Sequence, residues 1–204
     1  MLPRPRCPMA LSDRLRAETR PHHTDVERHT PMAWLMTPDL DRETLAALLA
    51  RMHAFQAPLE AALAPRQPAL GLEAIDRSAR LARDLAVLGA PLPTPVAPGA
   101  VPDVSTDAAV RGATYVLEGA ALGGQVIARH LGPLLGLAPD RGLSFFASEG
   151  APAGPRWRAV RRLLDATPEA EHDAVVAAAV DTFERLGAWM RGLARPAPLL
   201  FSAV

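Results

Sequence analysis

Tyr115-Val-Leu-Glu-Gly-Ala-Ala-Leu-Gly-Gly-Gln-Val126 reads as the middle of a helix that carries glycine where helices are usually built from better formers. A glycine inside a helix costs roughly 1 kcal/mol against alanine. Here Gly119, Gly123 and Gly124 stand close together, with Ala120 and Ala121 between them. A helix that carries this cost needs its backbone to approach something closely, either a second helix or a flat ligand. Gly119-x-x-x-Gly123 has the small-xxx-small spacing of closely packed helix pairs, while Arg111, Glu118 and Arg129 argue against a membrane helix. Taken alone, the spacing leaves packing and ligand binding level. An N-terminal segment with Thr19, Pro21, His22, His23 and Glu27 favours the ligand.

The rest of the chain reads as helices. Apolar residues make up 49% of the 204 residues and aromatics only 4%, so the core must be built mostly of Leu, Ala and Val. Leucine and alanine favour helices, and strand formers are few. The first helix is expected from Ser12 or Asp13, either a good N-cap, to about Arg28, with Pro21 bending or restarting it. A second runs from about Arg42 to Leu63 with Leu45, Leu48, Leu49, Phe55 and Leu59 at helical spacing, and a kink expected at Pro58. A third spans Leu72 to Leu88. Pro91 to Asp103 is a Pro-rich connection. Thr106 or Asp107 then caps the long glycine-containing helix, which reaches about Leu135. Pro139 to Ser148 and Arg156 to Asp165 read as short helices, with a loop from Gly150 to Pro155. Thr167-Pro168-Glu169 starts the final helix, which ends near Leu193. No strand pattern or repeat is present. The expected fold is all-α, with a tail over 1–9, one domain over 10–195 and a C-terminal tail over 196–204.

Charge and cysteine usage exclude several classes. The 22 cationic residues, all arginine, balance 22 acids, which argues against a nucleic-acid footprint. Any anion site must therefore use the planar guanidinium fork. Cys7 is the lone cysteine, so neither a disulfide nor a thiolate cluster can form within the chain. No secretory h-region and no membrane-spanning apolar run is visible, so a soluble cytoplasmic protein is expected.

Among the histidines, His23 continues the Leu15–Thr19 row at four-residue spacing, with Glu27 one turn further on. A single inward histidine is more often a hydrogen-bonded core residue than a metal ligand. No Glu-x-x-His pair falls on one core helix, which disfavours a di-iron site. A haem, by contrast, needs one axial protein ligand, and neutral imidazole suits iron.

Leu11-Ser-x-x-Leu-Arg-x-x-Thr-Arg-Pro-His-His-x-x-Val-Glu27 resembles the proximal helix of haem oxygenases, and Tyr115 to Gln125 resembles their distal helix. The likeness is greatest to the bacterial biliverdin-producing type, similar to phytochrome-associated members. The order and separation of the motifs, the chain length and the Trp157–Pro168 region agree. The resemblance implies a single-domain helical bundle with haem b held between the first helix and a kinked, Gly-rich distal helix.

It further implies that His23 is the axial iron ligand, with Thr19 and Glu27 beside it. Arg16, Arg20, Tyr115, Arg158 and Arg162 would meet the haem propionates, and Gly119, Gly123 and Gly124 would form the distal wall. Haem is then substrate and cofactor at once, cleaved with O2 to biliverdin, CO and iron. Electrons come from an external reductase or ferredoxin, since no flavin or nicotinamide fingerprint is visible. A bacterial phytochrome is a candidate acceptor of the biliverdin. One position departs from the family: many members carry Asp just after the first distal glycine, where this chain has Ala120. That departure motivates an alternative, a haem- or biliverdin-binding protein of the same fold with little turnover. A further alternative is a helical interaction domain in which His23 is core and the glycines pack helices.

Overall fold

The protein, seen in a computed structural model that describes residues 9–147 and 153–196, is helical throughout, with only isolated bridges around Ala138 in place of strands among those residues. Among the described residues seven α-helices follow one another: α1 Leu11–His29, α2 Arg42–Leu63, α3 Arg77–Val87, α4 Asp107–Leu135, α5 Ser144–Ala147, α6 Ala153–Asp165 and α7 His172–Arg191. The expected tails fall almost wholly on residues 1–8 and 197–204, outside the described residues, as do Ser148 and the stretch 150–152 of the expected loop.

Two helices have the expected bounds because their signals are local. Asp41 accepts from the Thr44 amide at 2.7 Å at the start of α2, and Thr106 accepts from the Ala109 amide at 3.1 Å at the start of α4. Such caps satisfy amides that the first helical turn leaves without partners. Arg42 closes the other end of α4, donating to the Leu135 carbonyl at 2.9 and 2.7 Å.

Elsewhere long-range contacts move the boundaries. Neither Ser12 nor Asp13 caps α1; the helix starts at Leu11, and the Asp165 carboxylate of α6 accepts from the Ser12 amide at 2.8 Å and its hydroxyl at 3.1 Å. α1 then passes through Pro21 without restarting. Proline removes the amide that Ala17 would accept from, but Ala17 is exposed, so its carbonyl meets water. α3 begins at Arg77 and not at Leu72; Leu72 and Ile75 are buried from the non-helical segment ahead of it. Only Ser144–Ala147 of the expected 139–148 helix forms. Buried Asp84 fixes that start by accepting from the Ser144 and Phe145 amides at 2.9 and 2.8 Å. α6 begins earlier than expected, at Ala153, and α7 ends at Arg191 after a 3-10 turn at Glu169–Glu171. A 3-10 turn at Pro31–Met36 follows α1, and the sequence pattern did not announce it.

Leu15, Val110, Ala113, Val176 and Phe183 form the core between α1, α4 and α7, while Leu48, Leu81, Leu85 and Phe145 form that between α2, α3 and α5. α4 crosses α7 at Gly112, where an added Cβ would lie 2.7 Å from Ala178 Cβ, Ala179 N and Val175 O. Behind α4 sits a buried cation. The Arg77 guanidinium lies 4.5 Å from the Phe145 ring centroid and donates to the Leu117 carbonyl at 2.5 Å. Burial lowers its pKa to about 10, against the opposing pull of Glu118 and Glu60. Truncating one member of a buried ionic group leaves the others uncompensated. Arg77→Met is therefore expected to lower stability by about 3 kcal/mol, measured by urea denaturation; an unchanged midpoint would contradict the role given to Arg77.

Candidate haem site

The candidate site lies between α1 and one face of α4. Tyr115, Gly119, Leu122, Gly123, Val126 and His130 share that face by their three- and four-residue spacing. Each end of the face is tied down. At one end the Tyr115 hydroxyl lies 3.5 Å from Thr19 Oγ1 of α1. At the other, His130 Nε2 lies 3.4 Å from the Thr37 carbonyl, just past the 3-10 turn that follows α1. Between the ties the helices do not fill the space. Leu122 and Val126 are 45% and 51% exposed, unusual for branched apolar side chains in a helix flanked by core on its other faces. Around Gly123 nothing lies within 4 Å of where a Cβ would stand.

His23 leaves α1 one turn beyond Thr19, on the stretch that spans this cleft. Its Nδ1 lies 3.3 Å from Glu27 Oε2, and its ring meets Phe183 of α7 edge-on at 5.8 Å between centroids. The ring is half exposed, and Nε2 has no hydrogen-bond partner among the described residues. A carboxylate on one imidazole nitrogen fixes the ring's orientation and raises the basicity of the other, the arrangement common around metal-ligating histidines. His22 turns away, with Nδ1 3.6 Å from Glu184 of α7.

The arginines separate into two groups. Arg14, Arg156, Arg161, Arg185 and Arg191 meet carboxylates. Exposed Arg16 and Arg20 of α1 and Arg158 and Arg162 of α6, like Arg28 and Arg129, have no ion-pair or hydrogen-bond partner among the described residues. Helices α1 and α6 lie side by side. Ser12 meets Asp165, Arg161 meets Asp13, and Tyr115 touches both Thr19 and Trp157. α1 and α6 thus run antiparallel between these ties, and Arg16 and Arg158 fall between them. Planar guanidinium groups left without acids at one end of a cleft suit the carboxylates of a ligand.

The glycines divide in use. Gly123 faces open space, and Gly119 faces Trp157, whose Cη2 and Cζ3 lie 3.5 and 3.7 Å from a Cβ position. Gly124 is buried against α5, where a Cβ would collide with the Phe146 carbonyl, so its missing side chain serves helix packing. Tyr115, expected to meet a propionate, is buried with its hydroxyl near Thr19 and its ring 5.5 Å from Trp157. Ala120 is exposed beside the cleft. Glu118, the sole acid of α4 past its first turn, is buried and bound to Arg156 at 2.8 and 2.6 Å. Leu122, Val126, Trp157 and Phe183 were absent from the sequence-based site; the first two follow Gly119 at helical spacing, whereas Trp157 and Phe183 arrive by tertiary packing.

Gly123→Ala separates the roles of this face. Its Cβ meets nothing, so helix propensity is expected to raise stability by about 1 kcal/mol, while the narrowed cleft weakens hemin binding. Thermal denaturation and hemin titration check the two halves; a variant that binds hemin like the wild type would place the cleft elsewhere.

A helical bundle with a half-exposed His23–Glu27 pair on α1 and a glycine-bearing face on α4 is compatible with a haem-binding class. Comparison narrows it. The Heme oxygenase family profile matches residues 9–93. A heme oxygenase of Xanthomonas campestris pv. campestris is 37% identical over 131 residues, covering 62% of this chain and 74% of that protein. This chain belongs to the haem oxygenase family. Solved structures agree in fold. The heme oxygenase of Leptospira interrogans aligns with TM-score 0.73 at 20% identity over 91% of this chain and 100% of that one. That of Neisseria meningitidis, solved with NO and CO bound, gives 0.73 at 21% over 93% and 96%. Heme oxygenase-1 of the cyanobacterium Synechocystis, in complex with heme, gives 0.71 at 15% over 89% and 91%.

Proposed function

We infer that this chain is a haem oxygenase that binds haem b in the α1–α4 cleft and cleaves it, with O2 and electrons from an external donor, to biliverdin, CO and iron. The observation that carries this reading is His23: it is half exposed on α1 with Nδ1 3.3 Å from Glu27 Oε2, and α4 carries a face left clear at Gly123. Haem, when bound, supplies both the iron that reduces O2 and the carbon skeleton that is cleaved.

The chain's own residues do the rest. His23 would be the residue that holds the haem iron, with Glu27 3.3 Å from its Nδ1 to favour one ring orientation. Leu122, Val126 and Phe183 give a flat apolar ligand the surface it needs. Arg16 and Arg158 bind the propionates from two adjacent helices, with Arg20 and Arg162 beside them; Thr19 and Tyr115 close the end between. Gly123, with nothing within 4 Å of its Cβ position, would leave room beside the haem for a small ligand. No acid or imidazole projects from the Gly119–Val126 stretch, so that part of α4 would lack the group that peroxidases use to split an O–O bond, and oxidation would be left to fall on the haem's own edge. With Ala120 carrying no hydroxyl or carboxyl, protons enter from water at the open mouth of the cleft.

No helix among the described residues is long and apolar enough to cross a membrane, and we assign the protein to the cytoplasm, where a reductase or ferredoxin supplies electrons. Release of iron and supply of biliverdin to a phytochrome are both compatible uses of the reaction.

Hemin reconstitution followed by reductant in air tests the function. A Soret band that forms and then decays into a biliverdin spectrum is expected. A stable haem complex that never becomes biliverdin would instead favour a binding protein and point to Ala120.

A further inference from the structure

The cleft is asymmetric: open around Gly123 and stopped at Gly119 by one aromatic ring. We propose that Trp157 is a specificity-determining residue, locked in place by the Arg156–Glu118 ion pair, which limits how far the haem macrocycle slides toward α6 and so selects the meso edge that is oxidised. The proposal rests on the haem oxygenase reading above and assigns the regiochemistry that reading leaves open.

The ring is held on several sides. Its Cη2 and Cζ3 sit at ordinary contact distance from the side-chain position of Gly119, and Tyr115 packs against it at 5.5 Å and 48° between planes. The neighbouring residue anchors the helix that carries it. Arg156 Nε and Nη2 donate to Glu118 Oε1 at 2.8 and 2.6 Å, with Glu118 only 4% exposed. The same guanidinium reaches Glu73 Oε2 at 2.7 Å and the Ala74 carbonyl at 3.0 Å. One residue before Glu118, the Leu117 carbonyl accepts from buried Arg77. The wall at Gly119 and the start of α6 are thus clamped to one another through Glu118, about 100° round α4 from Gly119. Separating this pair would leave the buried Glu118 carboxylate without its partly exposed Arg156 partner, away from water, so the contact resists displacement.

A porphyrin has four meso edges on a nearly four-fold outline, so rotation or sliding within its plane is decided by contacts at its rim. Unpartnered Arg16 and Arg158 suit the propionates, and Arg158 is the residue after Trp157. The Arg158 guanidinium and the indole are both carried by α6, whereas Arg16 faces them from α1. Electrostatics pulls the ring toward this end, and Trp157 sets where it stops. Gly123, with empty space before it, imposes no such stop.

The test compares full-length wild type with Trp157→Ala, Trp157→Phe and Glu118→Gln. Each is reconstituted with hemin and turned over with reductant in air, and the biliverdin isomers are separated by chromatography. Proton NMR of the ferric cyanide complex reads the haem methyl shifts as a direct report of ring seating. Trp157→Ala is expected to change the isomer ratio by about threefold or more, the effect of losing one ordinary aromatic contact, and to move the methyl shifts. Phenylalanine should restore part of the wild-type ratio, and Glu118→Gln should shift it in the direction of the alanine variant. Isomer ratios and methyl shifts identical to wild type in Trp157→Ala overturn the proposal and leave the enzyme's function intact. Should the alanine variant not fold, identical ratios in Trp157→Phe and Glu118→Gln overturn it equally. A wild type that binds no hemin overturns the functional reading and the proposal together.

Discussion

His23→Ala is expected to abolish the ferric Soret complex and to lower biliverdin formation by more than ~100-fold, since removing mere supporting partners of a metal ligand already costs 10–100-fold. The fold should survive. His23 is half exposed and its described contacts are limited to Glu27 and the edge of Phe183, so stability should change by no more than about 0.5 kcal/mol. Circular dichroism with urea denaturation verifies the fold, and hemin titration followed by turnover measures the site. Added imidazole should enter the vacated space and restore part of the spectrum. His22→Ala is the internal control: that ring faces Glu184 on α7 and should leave hemin binding unchanged. Full turnover by the His23 variant would remove this histidine from the site and return the question to the rest of the cleft.

The largest stability effect belongs to a glycine outside the cleft. Gly112→Ala would place a methyl group 2.7 Å from Ala178 Cβ, Ala179 N and Val175 O, and two of those atoms are backbone that cannot rotate aside. Overpacking of this kind costs about 3 kcal/mol or more, outweighing the ~1 kcal/mol that alanine gains in a helix. Gly124→Ala should follow it, through its collision with the Phe146 carbonyl. Gly123→Ala goes the opposite way. Urea midpoints of the three variants should therefore fall on both sides of the wild type, although all three changes are the same in chemistry and lie in the same helix. A uniform gain across them would mean that α4 does not approach α7 and α5 as closely as described.

Four glycines of α4 show what could be read from the chain. The cost of glycine in a helix is visible at once and implies a close approach, which α4 meets at Gly112, Gly119 and Gly124 but not at Gly123. What does the approaching is not a local property. At Gly112 it is α7, at Gly124 the backbone of α5, at Gly119 the Trp157 ring, and at Gly123 the open cleft. Small-xxx-small spacing describes them all equally, because spacing fixes which residues share a helix face and says nothing of what packs there.

The same division runs through the rest of the molecule. By itself the sequence determined the all-helical class, the bounds of α2 and α4, the pairing of His23 with Glu27 and the resemblance that names the family. Each is settled by contacts within about one helical turn: capping oxygens, apolar periodicity, and side chains four residues apart. Tertiary structure decided the rest. Asp165 took over the capping of α1, Asp84 started α5, and Arg77 reached across to Leu117. It also turned Glu118 inward to Arg156, left four arginines without acids at one end of the cleft, and set Trp157 against Gly119. Those partners are tens of residues apart in the chain, and nothing in either member's local pattern identifies the other. They meet because burying the apolar stripes of α1, α4 and α7 on one another brings their polar residues into register, where each buried charge or amide must find a partner or be lost to water.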